Sequence, residues 1–466
     1  MLFRPEILWT DFLIFILIGS ILAFGVYTWR HEHLRVPWRQ VARRPMAMAS
    51  LVILLSYVVV GVMDSIHYRP LQEEQKSGAP VYSNEVLSLL DMAATPLRAR
   101  TEKTYSAPFA MQAYSKETVE YPDGRHAREN SRLLHGGAHL QDPGERATDI
   151  VRRAGTATLA ALGLWLLLMT GFLFLWRQSR ESLTQAARRL ARGESDFPWR
   201  TVLITVGILI ILATNATYLS LYYHIFGTDQ VGQDVFLKSL KSVRTGLVIG
   251  TLTTLVMLPF AVLFGIMAGY FRGWVDDVIQ YVYTTLSSIP GVLLIAAAIL
   301  SLQAYIAIHP ESFTSATERA DIRLLFLCLI LGVTSWTSLC RLLRGETLKL
   351  REVDYIQASR ALGASHLSVM SRHILPNVMH IILIAVVLDF SGLVLAEAVL
   401  SYVGVGVDPT MDSWGNMIVS ARLEMAREPL VWWSLVSAFV FMFGLVLAAN
   451  LFSDAVRDAF DPRLRK

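Results

Sequence analysis

The sequence has 466 residues, of which 53% are apolar and 17% are charged, and its mean hydropathy is +0.44. Soluble domains carry about 25% charged residues, so this composition excludes a disordered chain, a collagen-like chain and a disulfide scaffold, and it indicates an integral membrane protein. The formal net charge of +4 is too small for this length to indicate a nucleic-acid-binding protein. Cys328 and Cys340 form no CxxC or Cys/His cluster, so we expect buried thiols and no metal or redox site.

Nine stretches are long and apolar enough to cross a membrane, which takes about 20 helical residues. Backbone groups in lipid must be hydrogen-bonded within their own segment, so these stretches predict helices, and the alternating segments of a β-barrel are absent. The predicted fold class is therefore an all-α integral membrane protein. The first stretch lacks a small-residue cleavage site, so we expect a retained anchor and not a secretory signal. The predicted spans are about 7–29, 46–66, 154–176, 201–223, 247–270, 278–302, 324–344, 378–400 and 431–452.

Basic residues are unevenly distributed over the loops between these spans. Five arginines fall in residues 30–45 and six in 177–200, whereas 224–245 holds three basic residues and 401–430 holds two. Short loops rich in lysine and arginine stay in the cytoplasm. With an odd number of spans, we expect the amino terminus outside and the carboxyl terminus in the cytoplasm.

These patterns divide the chain into four parts. Within the polar insert, His135 and His139 flank a glycine pair that disfavours a helix, and no third ligand is near, so we expect no metal site there. The basic linker indicates an amphipathic helix on anionic lipid, and the alternative is the linker helix of a bacterial sensor kinase, which its end resembles. The four parts are the amino-terminal helices (1–66), the extracytoplasmic insert (67–153), two spans with the basic linker 177–200 (154–226), and a helical core with a cytoplasmic loop at 345–377 (227–466).

The sequence lacks the motifs of an enzyme. It has no GxxxxGK[ST] phosphate loop, no HExxH metal-binding helix and no GxSxG nucleophile turn. We therefore expect no catalytic residues and no cofactor in this chain. If the protein uses ATP, another subunit hydrolyses it.

The loop that precedes the eighth predicted span is the most informative segment. Ala358 and Leu362 are four residues apart and share one face of a short helix, with Ala361 beside them. Small side chains on this face allow close docking into a groove of a partner. Gly363 lets the chain change direction, and Pro376 suits the first turn of the next helix. The loop predicts a helix that lies across the membrane face and presses into another protein.

This loop resembles the signature of permease subunits of bacterial ATP-binding-cassette (ABC) importers, in the dipeptide, oligopeptide and nickel branch. The signature is a Glu-Ala-Ala triplet, a glycine four residues after its last alanine, and an Ile-x-Leu-Pro-like ending. In this chain, two positions of the triplet differ from the consensus. Docking depends on the shape of the helix, so the expected docking role is retained. The resemblance implies that the residues coupled to the ATPase are Tyr355, Gln357, Ala358, Ser359, Ala361, Leu362, Gly363, Ile374, Leu375 and Pro376.

The resemblance extends over residues 227–466, about half of the chain. It implies a six-helix type I importer core, with extra amino-terminal spans and the insert added to it. Counting back from the tail places the first core span at 201–223, but residues 39–45 and the span after them also resemble the family's start, and the sequence leaves both open. Further matching segments are 227–235, 268–276, 344–346, 396–402, 414–417 and 458–464.

The resemblance also implies the protein's partners and place. We expect a bacterial cytoplasmic (inner) membrane protein that forms half of a translocation pathway for peptides or a related small solute. Its partners would be a second permease subunit, two ABC ATPases that bind ATP and magnesium, an extracytoplasmic solute-binding protein and membrane lipid.

Two carboxylates within the eighth span need an explanation, because charge in lipid is costly. Asp389 and Glu397 lie eight residues apart, about 80° around a helix. They either face the solute pathway and bind the cationic end of a peptide, or hold the helix in place through polar contacts. For Glu397, the family motif favours packing or gating.

A second hypothesis is a membrane sensor or receptor. An external insert between two spans, followed by a linker-like helix, supports it. Against it, no output domain follows, and the docking loop would have no purpose. A channel is a third, weaker option.

Overall fold

The computed structural model describes residues 3–71, 82–120, 126–177, 181–309, 311 and 315–460, and the tail motif at 461–464 lies outside this part. Within it, nine helices are long and apolar enough to cross a membrane. In a single chain-order numbering of all helices, these nine are α1 (Trp9–Arg30), α3 (Pro45–Ser65), α6 (Arg146–Trp176), α8 (Trp199–Ser220), α9 (Val235–Phe271), α11 (Gly291–Ile308), α12 (Ala316–Leu350), α15 (Leu375–Tyr402) and α17 (Trp433–Phe460). The shorter helices are α2 (Glu32–Arg43), α4 (Leu89–Ala93), α5 (Thr95–Arg98), α7 (Leu183–Arg192), α10 (Gly273–Ser288), α13 (Asp354–Ala361), α14 (His366–Val369) and α16 (Trp414–Glu424).

The predicted all-α membrane fold is confirmed, but one predicted span is wrong. The chain does not form a single helix over 278–302, because α10 ends at Ser288 and α11 begins at Gly291. Pro290 stands between them, and proline both lacks a backbone N–H and forces the preceding residue into an extended conformation. Ile289 is extended, with ψ of 128°.

Two small antiparallel sheets accompany the helices. Strands β1 (Phe3–Glu6), β2 (His67–Pro70) and β3 (Leu87–Ser88) form one sheet, and β4 (Glu117–Glu120) pairs with β5 (His126–Glu129) in a hairpin. β1 pairs with β2 in the register Phe3↔Pro70 to Glu6↔His67. The amino-terminal strand therefore lies at the same end of the bundle as the insert, which we call the insert end.

The opposite end of the bundle collects the loops that are rich in arginine. There the end of α9 meets the loop after α12, where Tyr270 Oη lies 2.9 Å from His366 Nδ1. The end of α17 meets α2, where Arg44 pairs with Asp458 at 2.6 Å. We call this the coupling end. The long helices alternate between the two ends, as the distribution of basic residues predicts.

Helices α9 and α12 form the most extensive helix pair of the core. Glycines let their backbones approach closely, as small residues do between membrane helices. A Cβ at Gly269 would lie 2.7 Å from Arg344 O, and one at Gly265 would lie 2.9 Å from Cys340 O. Cys328 and Cys340 are free buried thiols in α12, as expected.

The structure gives α3 and α8 different positions in the bundle. α3 packs against both α9 and α17, and Tyr57 Oη donates a hydrogen bond to Phe441 O at 2.9 Å. α8 instead pairs mainly with α6, and both carry many exposed apolar side chains. Of the two spans that resemble the family's first span, 46–66 is thus the one that packs into the core.

The basic linker forms α7, whose apolar face packs on the protein. Ala186 and Leu190 are buried against Leu173 of α6 and near Trp199 of α8. Serine 182 caps the helix, and Gly193 ends it in the left-handed conformation with φ of 72°. Arg188 and Arg192 are exposed, whereas Arg189 lies over the ring of Trp176 beside this buried face.

The extra helix α1 is bound to the core by a buried guanidinium. Arg244 of α9 lies 2.6 Å from Asp11 of α1 and 3.5 Å from Asp321 of α12. Thr10 donates hydrogen bonds to Asp321, and His67 Nδ1 lies 2.8 Å from Asp11. Both carboxylates are almost completely buried. Removing one partner of a buried ion pair leaves uncompensated charge, so these helices depend on one another.

We predict that Arg244→Met destabilises the protein by about 3–5 kcal/mol, because two buried carboxylates lose their cation. Thermal unfolding of the purified protein in detergent measures this. Arg319→Met, at an exposed arginine of α12, is the matched control and should leave the melting temperature unchanged. Equal melting curves for the two variants would contradict the anchoring role.

Among the contacts that attach the insert to the core, one centres on the buried carboxylate of Glu102. Glu102 accepts hydrogen bonds from the backbone amides of Leu134, His135 and Gly136 at 2.8–3.0 Å. It also lies 3.4 Å from the Nε2 of His224, whose Nδ1 is 2.7 Å from Asp234. Asp234 in turn caps the first turn of α9.

These contacts shift the pKa values of His224 and Glu102 in the directions that keep both side chains charged. Burial works to lower the pKa of His224, but Asp234 and Glu102 outweigh it and raise this pKa to about 9. Burial works to raise the pKa of Glu102, but His224 and the three backbone amides hold it down to about 2. The insert and the start of α9 are thus joined by a buried ionic network.

The pH dependence of stability follows from these shifts. The contribution of His224 is complete below its ordinary pKa of about 6.5 and is lost as the pH rises towards 9. The contribution of Glu102 is complete above about 4.5 and is lost as the pH falls towards 2. We predict that the melting temperature falls between pH 7 and 9.5 by an amount that His224→Gln removes. His126→Gln, at an exposed histidine of β5, should keep the wild-type fall, and a wild-type profile in His224→Gln would refute the network.

His135 and His139 of the insert have separate partners. His139 Nε2 lies 2.7 Å from Asp149, whereas His135 uses its backbone amide to bind Glu102. Over the described ranges, no group of three or more His, Cys, Asp or Glu residues is placed to hold a metal ion.

Candidate functional site

In the structure, the docking loop is shorter than the range 345–377 that the sequence predicts. α12 continues to Leu350 and α15 begins at Leu375, so the connection covers residues 351–374. It contains α13, then a turn at Leu362 and Gly363, then α14 and a π-helical turn over Met370–Ile374. Turns of this kind inside helices are frequent at functional sites.

Three apolar side chains fix the loop to the core. Ile356, Val369 and Ile374 are completely buried, and they belong to the same core cluster as Tyr270 of α9 and Leu343 of α12. Isolated apolar residues in a polar loop are the signal for such anchors. Sequence reasoning placed Ile374 among the coupling residues and not among the anchors, and it missed Ile356 and Val369.

Polar contacts add to this attachment. Arg351 Nη1 donates to Tyr270 O at 2.7 Å, and Arg272 pairs with Glu352 at 2.6 Å. Burial, helped by the neighbouring Arg272 and Arg360, lowers the pKa of Arg351. The loop is therefore held against the end of α9 in a basic environment.

Helix α13 also contacts the start of α15. Asn377 Nδ2 donates to Tyr355 Oη at 2.9 Å, and Ser359 Oγ lies 3.4 Å from His373 Nε2. Pro376 lies in the first turn of α15. A displacement of α13 would therefore reach α15 directly.

The opposite face of the loop is exposed. Leu362 is 89% exposed and Leu367 is 73% exposed, although both are large and apolar. Gly363 ends α13 with φ of 85°, and a Cβ there would meet nothing within 4 Å. The predicted coupling residues on this face are Tyr355, Gln357, Ala358, Ala361, Leu362 and Gly363, while Ser359, Ile374 and Leu375 are half-buried or buried beneath it.

The part of the chain that contains this loop is similar in sequence to known transport proteins. Residues 261–466 match the family model of the binding-protein-dependent transport system inner membrane component. The glutathione transport system permease protein GsiD of Pectobacterium atrosepticum is 31% identical over 52% of this chain and 73% of its own length. The oligopeptide transport system permease protein OppC of Mycobacterium tuberculosis is 32% identical over 52% of this chain and 77% of its own length. The chain belongs to this permease family.

Further relatives extend the match. A putative peptide transport system permease protein of Brucella suis is 30% identical over 60% of this chain and 91% of its own length. A solved structure of the MetNI methionine ABC transporter in inward-facing conformations is 17% identical, covers 46% of this chain and 93% of that chain, and has a TM-score of 0.33. A score this low says nothing further about this chain.

The protein is a permease subunit of an ABC importer in the peptide family, and it is a multi-pass inner-membrane protein. It is a transport subunit and not an enzyme, and it works with ATPase and partner permease components. Nothing in the family or its relatives supports the sensor hypothesis.

The two intramembrane carboxylates of this permease have different surroundings. Glu397 is buried and accepts hydrogen bonds from Ser401 Oγ at 2.8 Å and Gly415 N at 3.2 Å. A Cβ at Gly415 would lie 2.4 Å from Glu397 Oε1, so only glycine fits there. Glu397 thus joins α15 to the start of α16. Asp389 is half-buried and makes no hydrogen bond or ion pair with any residue that the structure describes.

Proposed function

We propose that α13 together with Leu362 and Gly363, here called the coupling helix, is the surface on which an ABC ATPase docks. The exposure of Leu362 carries this proposal, because a large apolar side chain outside the membrane spans stabilises a complex when a partner buries it. The small side chains of Ala358 and Ala361 allow the partner to approach the backbone of the same helix. The coupling end then faces the cytoplasm, and both β1 and the insert face outward.

The attachment of the coupling helix supports a mechanical role. Ile356 seats it against α9 and α12, and Tyr355 joins it to the start of α15. Closure of two ATPases on ATP and magnesium would move this helix and tilt the attached spans. Access to the solute would then alternate between the two membrane faces.

We further propose that the solute is a peptide or a related small molecule. The names of the relatives, which include oligopeptide and glutathione permeases, support this class. An extracytoplasmic binding protein would deliver the solute, and a second permease subunit would complete the pathway. Asp389 would face that pathway and bind the cationic end of the solute. A charged side chain inside a membrane is costly, and such residues mark substrate pathways.

We predict that Gly363→Leu abolishes co-purification of the ATPase subunits in mild detergent, while membrane insertion is unchanged. The new side chain would meet nothing within this chain but would lie on the docking face. Gly193→Leu is the matched control, because Gly193 has a similar φ of 72° and open space around it, yet it lies in the α7 linker. The two substitutions carry the same backbone strain, so loss of the ATPases in both, or in neither, would contradict the docking role.

We predict that Asp389→Asn lowers uptake of a labelled tripeptide with a free amino terminus by about 10-fold or more, because a charge-assisted hydrogen bond contributes about 1.5–3 kcal/mol. Its melting temperature should stay at the wild-type value. Glu397→Ala should instead lower the melting temperature, because Ser401 and Gly415 lose a buried acceptor, at a cost of about 1–3 kcal/mol. Wild-type uptake by Asp389→Asn would exclude the pathway role.

A further inference from the structure

Helix α1 is attached to the bundle along only part of its length. Near the insert end, Thr10 and Asp11 are completely buried in contacts with α9 and α12. Towards the coupling end the helix has few neighbours, since a Cβ at Gly19 or Gly25 would meet nothing within 4 Å. Leu22 is 66% exposed on this part of the helix. The second half of α1 therefore presents an apolar face that no other part of the described chain covers.

At the coupling end, this face borders a cavity of about 490 Å³. The cavity lies between the last turns of α1, the amphipathic helix α2 and the segment after α7. Helix α2 is itself fixed to the core, because Trp38 and Val41 pack against the end of α17. The residues that line the cavity are Gly25, Thr28, Trp29, Arg35, Trp38, Arg39, Ala42 and Phe197.

Positive charge around this cavity is only partly neutralised. Arg39 and Arg43 share Asp196 at 3.1 and 3.4 Å, and Arg44 pairs with Asp458. Arg35 lines the cavity and makes no ion pair with any residue in the described ranges. The cavity therefore offers an exposed guanidinium, and guanidinium groups bind phosphate oxygens through two parallel hydrogen bonds.

We propose that this cavity binds the phosphate headgroup of an anionic phospholipid, whose acyl chains lie along the exposed apolar face of α1. Arg35 and Arg39 bind the phosphate. Trp29 and Trp38 lie at the level of the headgroups, where the amphipathic indole ring is favoured. Basic pockets between membrane helices on the cytoplasmic side are suited to such headgroups.

The position of the cavity favours a lipid over other occupants. It lies at the end of a membrane span, where phospholipid is the most abundant anion. A free phosphate ion would bind the guanidinium groups alone, whereas a phospholipid would also bury apolar side chains of α1 such as Leu22 and Val26. A protein partner would have to cover these side chains and also supply an anion to Arg35.

The test is a titration of the purified subunit with phosphatidylglycerol, followed by native mass spectrometry that counts bound lipid. Arg35→Gln should lower the apparent affinity about fivefold, because a basic residue near an anionic lipid contributes about 1 kcal/mol. Arg35→Gln combined with Arg39→Gln should lower it further. Arg188→Gln, at an exposed arginine of α7 outside the cavity, is the matched control and should bind as wild type.

Three results would overturn the proposal. Equal loss in Arg35→Gln and Arg188→Gln would mean general attraction to a basic surface, and wild-type binding by Arg35→Gln would exclude the site. Displacement of the lipid by millimolar inorganic phosphate would mean that the acyl chains make no contribution. Retention of lipid by the wild type and its loss in Arg35→Gln, at unchanged melting temperature, would support the site.

Discussion

Glycines let the backbones of α9 and α12 touch, and much of the structure depends on this contact. A Cβ at Gly265, Gly269 or Gly332 would lie 2.6–2.8 Å from atoms of the facing helix. The two helices run parallel from the insert end to the coupling end and therefore connect the two faces of the membrane. Arg244 gathers α1 and α12 at one end of this pair, and Tyr270 receives the coupling loop at the other.

The parts that surround the core are attached by buried polar groups. The insert is joined to the start of α9 through Glu102, His224 and Asp234, and α1 is joined through Asp11. Each contact is strong because it is shielded from water, and each is costly if one partner is removed. Apolar packing alone could not specify these positions, because lipid is as apolar as the helices.

The coupling loop combines a fixed side with an unoccupied side. Ile356, Val369 and Ile374 are buried in the core, while Leu362 projects into solvent. A loop of this construction can pass a force to the helices beneath it, because it cannot deform independently of them. The same division explains why the loop is short and helical and not an extended linker.

The sequence by itself determined the number of spans, their alternation and the loop that holds the proposed coupling residues. These follow from local quantities, namely apolar length, arginine distribution and the spacing of Ala358, Leu362 and Gly363. An apolar count does not predict the break at Pro290, because it does not register a missing backbone N–H.

Only the tertiary structure decided which spans pack into the core and which polar residues meet. Asp11, Arg244 and Asp321 are separated by up to 310 residues, and no local pattern pairs them. Asp389 and Glu397 belong to the same predicted span, yet Asp389 has no hydrogen-bond or ion-pair partner among the described residues, whereas Glu397 is buried against Gly415. The physical reason is that burial and pairing depend on what another part of the chain brings to the site, and that is fixed only when the helices pack.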